Sequence, residues 1–161
     1  MRVVPQGVRC GCGNRGCWEQ YASGRALVRD ARELVESRTP GAEALSEACG
    51  GEAERLDGKT VTRLAHEGDR ASLAIVSEVG RWLGEGLVSL TAVLDPAVAV
   101  VGGGVSAAGD LLLDPMRAAF ESELTARGYR PVLEIRGAEM GNDAGIVGAA
   151  DLARRNRPST A

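Results

Sequence analysis

The longest regular pattern of apolar and polar positions lies in the middle of the chain, over residues 69–94. Apolar side chains recur there at every third or fourth position, which predicts a helix with a broad buried side. The segment also contains Gly80, Gly84 and Gly86, and each glycine costs roughly 1 kcal/mol of helix stability relative to alanine. We therefore expect a neighbouring element or a ligand to approach this helix closely and to compensate for that cost.

Shorter helical patterns flank this segment on both sides. The first of them, over residues 17–37, is broken at Ser23-Gly24 and ends at Thr39-Pro40-Gly41, which cannot continue a helix. Asp143 is a suitable N-terminal cap for the last one. The further predicted helices comprise residues 43–49, 60–67, 110–127 and 144–155.

Three short apolar segments predict β-strands. Residues 97–101 form a continuous apolar run, which is typical of a strand covered on both faces. Residues 2–4 and 132–135 are the other two candidates. Because helices outnumber strands and so few strands cannot close a sheet, the pattern predicts a helix-rich α/β fold.

The composition is that of an ordinary globular domain. The chain has 161 residues, of which 44% are hydrophobic and 25% are charged, and these values suit one folded domain. A net charge of −3 does not attract nucleic acid, and an aromatic content of 3% leaves few side chains on which bases could stack. No nucleic-acid partner is therefore expected. The longest apolar region, residues 86–105, is interrupted by Asp95-Pro96 and predicts no membrane span. No charged and then apolar leader opens the chain, so no secretion signal is expected.

Three of the four cysteines lie within eight residues, as Cys10, Cys12 and Cys17 with the spacing C-x-C-x4-C. The glycines between them permit the positive φ angles of a tight loop, which can aim three thiolates at one point. Structural zinc sites use four nitrogen or sulfur ligands in a tetrahedron, so the spacing predicts a zinc loop with one ligand still to be supplied. His66, the only histidine, is a poor candidate because it lies far along the chain in a helical pattern that suits the surface.

Two alternatives stay open for these cysteines: a reduced thiol cluster without a metal, or a disulfide between Cys17 and one of the other two. Clustered cysteines in a chain without a leader favour a metal in a reducing, cytoplasmic environment. The fourth cysteine, Cys49, is interpreted as a small side chain rather than as a ligand.

Gly102-Gly103-Gly104 directly follows the predicted strand over residues 97–101. Glycines at the carboxyl end of a buried strand let a ligand touch the backbone. The spacing also fits the dinucleotide fingerprint G-x-G-x-x-A through Ala107, but the acidic residue expected roughly 20 positions later falls inside a predicted helix, at Glu121 or Glu123. The third alternative is a turn that only packs a helix against the sheet.

The run from Cys10 to Glu19, Cys-Gly-Cys-Gly-Asn-Arg-Gly-Cys-Trp-Glu, resembles the zinc signature of the ROK family, which comprises repressors and sugar kinases with an actin-like ATPase fold. In that family a histidine that precedes the signature is the fourth zinc ligand, and Met1 would then be an internal methionine. The resemblance extends to about Ala153. It implies the C-terminal lobe of an actin-like (ribonuclease H-like) fold over residues 1–155, with the zinc loop at 10–19, an incomplete N-terminal lobe, and a disordered tail at 156–161.

The resemblance further implies an ATP-dependent kinase, most like a glucokinase, that transfers the γ-phosphoryl group of Mg·ATP to the 6-hydroxyl of glucose or a related hexose. Glu19 would hydrogen-bond the sugar, and Gly102, Gly103 and Gly104 would lie against the adenosine of ATP. Cys10, Cys12 and Cys17 would hold a structural zinc ion, and the C-terminal lobes would form a homodimer. Neither a catalytic base nor a first phosphate loop is found in this sequence, so we expect the chain by itself to have no kinase activity.

Several other interpretations stay open. Without the resemblance, Glu19 is better explained as a first-turn helix glutamate, which the helix dipole favours. The parent protein could be a sugar-responsive repressor, a kinase for another hexose or for N-acetylmannosamine, or a zinc-stabilised module that only associates with partners. A nicotinamide enzyme would need its cofactor at the Gly102 turn. Trp18, Trp82 and Phe120 are expected in the core or in an interface.

Overall fold

A computed structural model describes residues 1–155 of the chain. Most of this part is helical, with one small sheet, so the predicted helix-rich α/β class is confirmed. Short 3-10 turns lie between several of the longer elements, those at Trp18–Gln20 and Gly104–Ala108 among them. In chain order the helices and strands are α1 (Gly24–Glu36), α2 (Glu43–Ala48), α3 (Gly58–His66), α4 (Arg70–Leu94), β1 (Val98–Val101), α5 (Asp110–Glu123), β2 (Glu134–Gly137) and α6 (Ala144–Arg155).

Helix α3 begins earlier than predicted because a different residue caps it. The sequence suggested that Thr60 starts this helix, but the carboxylate of Asp57 is the cap and accepts the backbone N–H of Thr60 at 2.8 Å. Asp and Thr are both good capping residues, so local preference alone does not choose between them. Helix α5 ends at Glu123, four residues before its predicted end at position 127.

The sheet consists of two parallel strands. Val98 lies opposite Glu134 and Val101 opposite Gly137, which moves β2 two residues beyond the predicted range 132–135. The predicted strand at residues 2–4 is wrong, because that segment forms only an isolated antiparallel bridge between Arg2 and Cys17.

One face of β1 is exposed in the described part of the chain. Val98 and Val100 are 41% and 66% exposed, whereas Ala99 and Val101 pack against the apolar cluster around α5. Successive side chains of a strand point to opposite faces, and helices cover only the second face here. The expectation that both faces are covered is therefore wrong for residues 1–155.

Helix α4 organises the core. Its first half, including Val76 and Val79, packs against α1, α2 and α3. Its second half, including Leu87, shares a second cluster with α5 and β2, in which Phe120 is 1% exposed. Although α4 has 25 residues, no helix in the described chain is long and apolar enough to cross a membrane.

Two of the three glycines in α4 allow α5 to approach closely. A methyl group on Gly80 would come 2.4 Å from the carbonyl oxygen of Leu112. A methyl group on Gly84 would come 2.3 Å from the carbonyl oxygen of Met116. The expected close approach is confirmed, and the approaching element at these two positions is the backbone of α5.

Candidate functional site

The cysteine loop is a tight hairpin built on backbone hydrogen bonds. Arg9 and Arg15 form an isolated antiparallel bridge. Inside this bridge the N–H of Cys10 donates to the carbonyl of Asn14 at 2.8 Å. The backbone thus folds the first two cysteines of the motif into a single turn before the chain reaches the third.

The hairpin brings the three sulfur atoms together, as the spacing predicted. The Sγ atoms of Cys10, Cys12 and Cys17 all lie within 4.8 Å of one another, and those of Cys12 and Cys17 are 3.5 Å apart. Cys10 is buried and Cys12 is exposed. All four cysteines are free thiols, and Cys49 is buried in the helical core, away from this group.

Two glycines make this geometry possible. Gly13 and Gly16 have φ angles of 92° and 73°, which favour glycine, whereas Gly11 does not adopt a positive φ. Gly16 is also enclosed, because a methyl group there would come 1.5 Å from the carbonyl oxygen of Val4. Its own N–H donates to the carbonyl of Val8 at 2.8 Å.

The thiols differ in acidity. The backbone N–H of Asn14 lowers the pKa of Cys12 to about 7, and hydrogen bonds from the neighbouring thiols add to this effect. The hydrogen bond to Cys12 raises the pKa of Cys17 to about 11, because the proton is held between the two sulfur atoms. Without a cation in the loop, Cys12 therefore ionises well before Cys17.

This difference predicts the order of alkylation in the metal-free chain. We expect Cys12 to react with iodoacetamide before Cys17, with a rate that rises through a midpoint near pH 7, since the thiolate is the nucleophile. Mass spectrometry of the labelled peptides measures the alkylation rates of Cys12 and Cys17. Faster labelling of Cys17 would contradict the assignment.

The lowered pKa of Cys12 also makes the stability of the loop depend on pH. The thiolate of Cys12 stabilises the folded loop at high pH, and this contribution is lost as the pH falls through the pKa that Cys12 has in the folded chain.

The sulfur cluster fits a zinc ion. A Zn–S distance of about 2.3 Å in a tetrahedron places sulfur atoms about 3.8 Å apart, close to the 3.5 Å between Cys12 and Cys17. A dication would also stabilise the thiolate of Cys17 and reverse its raised pKa. Among residues 1–155, no histidine, carboxylate or further cysteine joins the group. The Nε2 atom of His66 is instead 3.3 Å from the carbonyl oxygen of Ala107 at the surface, as expected for a histidine that is no ligand.

Glu19 lies two residues beyond Cys17, in the 3-10 turn Trp18–Gln20. Its side chain is 55% exposed and forms an ion pair with Arg25. Arg25 belongs to the first turn of α1, which Ser23 caps by accepting the N–H of Ala26 at 3.2 Å. The structure therefore places an accessible carboxylate between the cysteine loop and the start of α1.

The glycine turn after β1 is open to a ligand at two of its three glycines, whereas Ala138 lies against Gly102, where a methyl group would come 3.4 Å from its Cβ. Gly103 has a φ of 92°, and methyl groups on Gly103 or Gly104 would meet no atom within 4 Å. The hydroxyl of Ser106 donates to the carbonyl of Gly103 at 2.7 Å and holds the turn. Gly24 lies against this turn, since a methyl group on it would come 3.1 Å from Val105. The start of α1 and the glycine turn are therefore neighbours.

Sequence reasoning missed an open cleft of about 830 Å³ between α1 and the start of α3. Gly24 and Arg25 of α1 line it together with Asp57 and Gly58 at the start of α3. Arg32 closes one wall by donating to backbone carbonyls of the segment before α3. The available signal was the spacing of arginines at positions 25, 29 and 32, which places three guanidinium groups on one side of α1. Arg25 links this cleft to Glu19.

The chain resembles known proteins along nearly its whole length. It is 44% identical over 158 residues to a glucokinase of Streptomyces coelicolor, an alignment that covers 98% of this chain and 50% of the relative. A crystal structure of a ROK family glucokinase from Streptomyces griseus in complex with glucose and AMPPNP superposes with a TM-score of 0.89 at 44% identity, covering 97% of this chain and 50% of that one. The xylose repressor of Bacillus subtilis is 26% identical over 155 residues, which are 94% of this chain and 35% of the repressor.

The chain thus spans about half the length of the glucokinases that it matches. Its fold defines it as part of a lobe of the actin-like ATPase fold that sugar kinases share. The ROK family profile matches residues 1–156, and the chain belongs to the ROK family.

Proposed function

We propose that this chain supplies the sugar-contacting carboxylate, the zinc loop and part of the adenosine site of an ATP-dependent glucokinase. The observation that carries this proposal is the ion pair between Glu19 and Arg25, which joins the cysteine loop to the cleft beside the glycine turn. The similarity to a glucokinase that was crystallised with glucose and AMPPNP supports the same assignment of ligands.

Glu19 is suited to hold sugar hydroxyls. An ionised carboxylate only accepts hydrogen bonds, and hydroxyl groups are good donors for it. Its present partner Arg25 has a side chain that is 76% exposed, and exposed ion pairs contribute little stability. Sugar hydroxyls can therefore replace Arg25 at small cost, and Arg25 is then free to turn toward the cleft.

The cleft between α1 and α3 is suited to the adenosine of ATP. Its volume lies within the usual range for small-molecule sites, which is about 300–1000 Å³. Gly103 and Gly104 leave the adjoining backbone bare, so that a ribose or base can approach it directly. Magnesium would enter with the phosphates of ATP, whose charge it neutralises during phosphoryl transfer.

Zinc has a structural role in this proposal. Cys10, Cys12 and Cys17 would hold the zinc ion and thereby fix the backbone that leads to Glu19. Residues behind a binding site commonly orient in this way the side chains that touch the ligand. We also propose that the parent protein is a cytoplasmic homodimer.

A chimaera tests the glucokinase proposal. In it, this chain replaces the aligned half of the Streptomyces coelicolor glucokinase, and we expect ATP-dependent phosphorylation of glucose, while the chain by itself stays inactive. In the chimaera, Glu19→Gln should raise the KM for glucose about tenfold, because hydrogen bonds to a charged acceptor are stronger than those to a neutral one. The kcat should change less than the KM, because a contact that is equally strong in the bound substrate and in the transition state affects only binding.

The matched control is Glu47→Gln, which removes an exposed glutamate on α2 and should leave both constants unchanged. An unchanged KM in the Glu19→Gln chimaera would remove Glu19 from the sugar site. A folded chimaera that binds glucose without phosphorylating it would favour the second candidate, a sugar-responsive repressor, which the similarity to the xylose repressor supports. Phosphorylation of N-acetylmannosamine or another hexose in preference to glucose would revise the substrate.

A further inference from the structure

The indole of Trp18 connects the cysteine loop to helix α4. Trp18 stands in the chain between Cys17 and Glu19, and its Nε1–H donates to the carbonyl oxygen of Trp82 at 2.6 Å. The ring lies across Gly86, where a methyl group would come 2.1 Å from the indole. The third glycine of α4 therefore makes room for Trp18 rather than for another helix.

A second aromatic contact supports the same arrangement. The ring centroids of Tyr21 and Trp82 are 4.8 Å apart with an interplanar angle of 40°. The hydroxyl of Tyr21 accepts the N–H of Val8 at 2.9 Å, at the beginning of the cysteine loop. The guanidinium of Arg81 also lies over the ring of Trp82, at 4.5 Å from its centroid. We call Trp18, Tyr21, Trp82 and Gly86 the aromatic clasp.

The loop has few other attachments to the helices. Its backbone bonds join Gly16 to Val3 and Val4, and Trp18 to Met1, and those that leave the first 18 residues reach only the turn at Gln20–Ala22, before α1 begins. In the described part of the chain, the hydrogen bond from Trp18 to Trp82 is the only one that ties residues 1–18 to an α-helix. The position of the loop relative to the core therefore depends on the clasp.

We propose that the aromatic clasp sets the position of the sulfur cluster and of Glu19 against α4, which makes Trp18 and Gly86 positioning residues for both sites. Because Cys17, Trp18 and Glu19 are consecutive, a displaced indole moves the backbone of both flanking residues. The identities of the metal and the sugar rest on the proposed function, whereas the effect of the clasp on the loop does not.

Two glycine variants of α4 distinguish the effect of the aromatic clasp from the effect of the packing between α4 and α5. Gly86→Ala drives a methyl group into the indole, and Gly84→Ala drives one into the backbone of α5. Both variants disturb α4, but only the first reaches the loop. Two buried cysteines report the difference in the metal-free 161-residue chain: Cys10 at 6% exposure in the loop and Cys49 at 4% exposure in the core.

We expect Gly86→Ala to increase the alkylation rate of Cys10 about tenfold relative to that of Cys49, since local opening of a loop exposes it without global unfolding. Gly84→Ala should not raise this ratio above the wild-type value, because loosening the contact between α4 and α5 favours global unfolding, which exposes Cys49 as well as Cys10. Trp18→Phe keeps an aromatic ring but loses the Nε1 donor, and should raise the ratio about fivefold. This variant introduces no clash and keeps the test decisive if Gly86→Ala does not fold. Equal ratios in the Gly84, Gly86 and Trp18 variants would overturn the proposal.

Cobalt provides a spectroscopic readout of the same geometry. Co²⁺ bound by thiolates absorbs visible light. We expect Gly86→Ala to change this spectrum and to weaken Co²⁺ binding about tenfold, because displaced cysteine ligands hold a metal less tightly. Gly84→Ala should leave the spectrum unchanged. An identical spectrum in the two variants would count against the clasp. A wild-type chain that binds no Co²⁺ would instead refute the proposed metal site, while the cysteine ratios would still decide on the clasp.

Discussion

Replacing Cys17 by serine is expected to weaken zinc binding by about 70- to 900-fold, since about 10–16 kcal/mol shared by four ligands is about 2.5–4 kcal/mol for each. The Sγ atom of Cys17 is 3.5 Å from that of Cys12, so its loss opens the cluster on the side that leads to Glu19. A serine hydroxyl is a poor replacement, because zinc sites of this kind bind thiolate sulfur. Elemental analysis after dialysis against a competing chelator measures the bound metal.

Cys49→Ser is the matched control for this experiment. Cys49 is equally a free thiol, but it lies in the core, and its Sγ is 3.4 Å from the carbonyl oxygen of Ser46. The variant should keep the zinc content of the wild-type chain. Retention of zinc by Cys17→Ser would remove Cys17 from the ligand set. A wild-type chain without any bound transition metal would favour the alternative of a reduced thiol cluster.

Gly84→Ala is expected to lower the free energy of unfolding by about 2 kcal/mol, because overpacking a closely packed contact outweighs the higher helix propensity of alanine. The added methyl group would come 2.3 Å from the carbonyl oxygen of Met116 and 2.9 Å from the Cβ of Ala119. Relief requires α4 and α5 to separate, and both helices contribute to the second apolar cluster. Such a loss is large for a domain whose total stability is about 5–15 kcal/mol.

Gly148→Ala is the control for glycine replacement in a helix. Gly148 is an exposed residue of α6, and a methyl group there would meet no atom within 4 Å. This variant should be neutral or stabilise the chain by up to about 1 kcal/mol. Urea unfolding followed by circular dichroism measures both variants. Equal stabilities would mean that α5 does not approach α4 as closely as the structure indicates.

The cysteine loop and the long helix were predictable because their signals are local. Metal-binding chemistry resides in the residue types and in their spacing, and Cys10, Cys12 and Cys17 meet because the turn between them is short. The length of α4 follows from its periodicity, and its glycines already required a close neighbour. The identity of that neighbour was not predictable, since Gly84 meets α5 while Gly86, only two residues later, meets Trp18.

The elements that were predicted less well depend on distant parts of the chain. The register of β2 is set by its pairing with β1, so local hydrophobicity placed it two residues too early. The cleft between α1 and α3 arises only when these helices pack. The spacing of the arginines on α1 places their side chains on one side of the helix, but it does not show which element lies opposite them.

The amino-acid sequence by itself determined which atoms can bind a metal, where the long helix runs and which family the chain resembles. Only the tertiary structure decided which surfaces meet: the indole of Trp18 on Gly86, α5 on Gly84, and the carboxylate of Glu19 beside α1. The physical reason is that side-chain chemistry and helical periodicity act over a few neighbouring residues. Contacts between elements instead depend on backbone positions that packing of the whole core fixes.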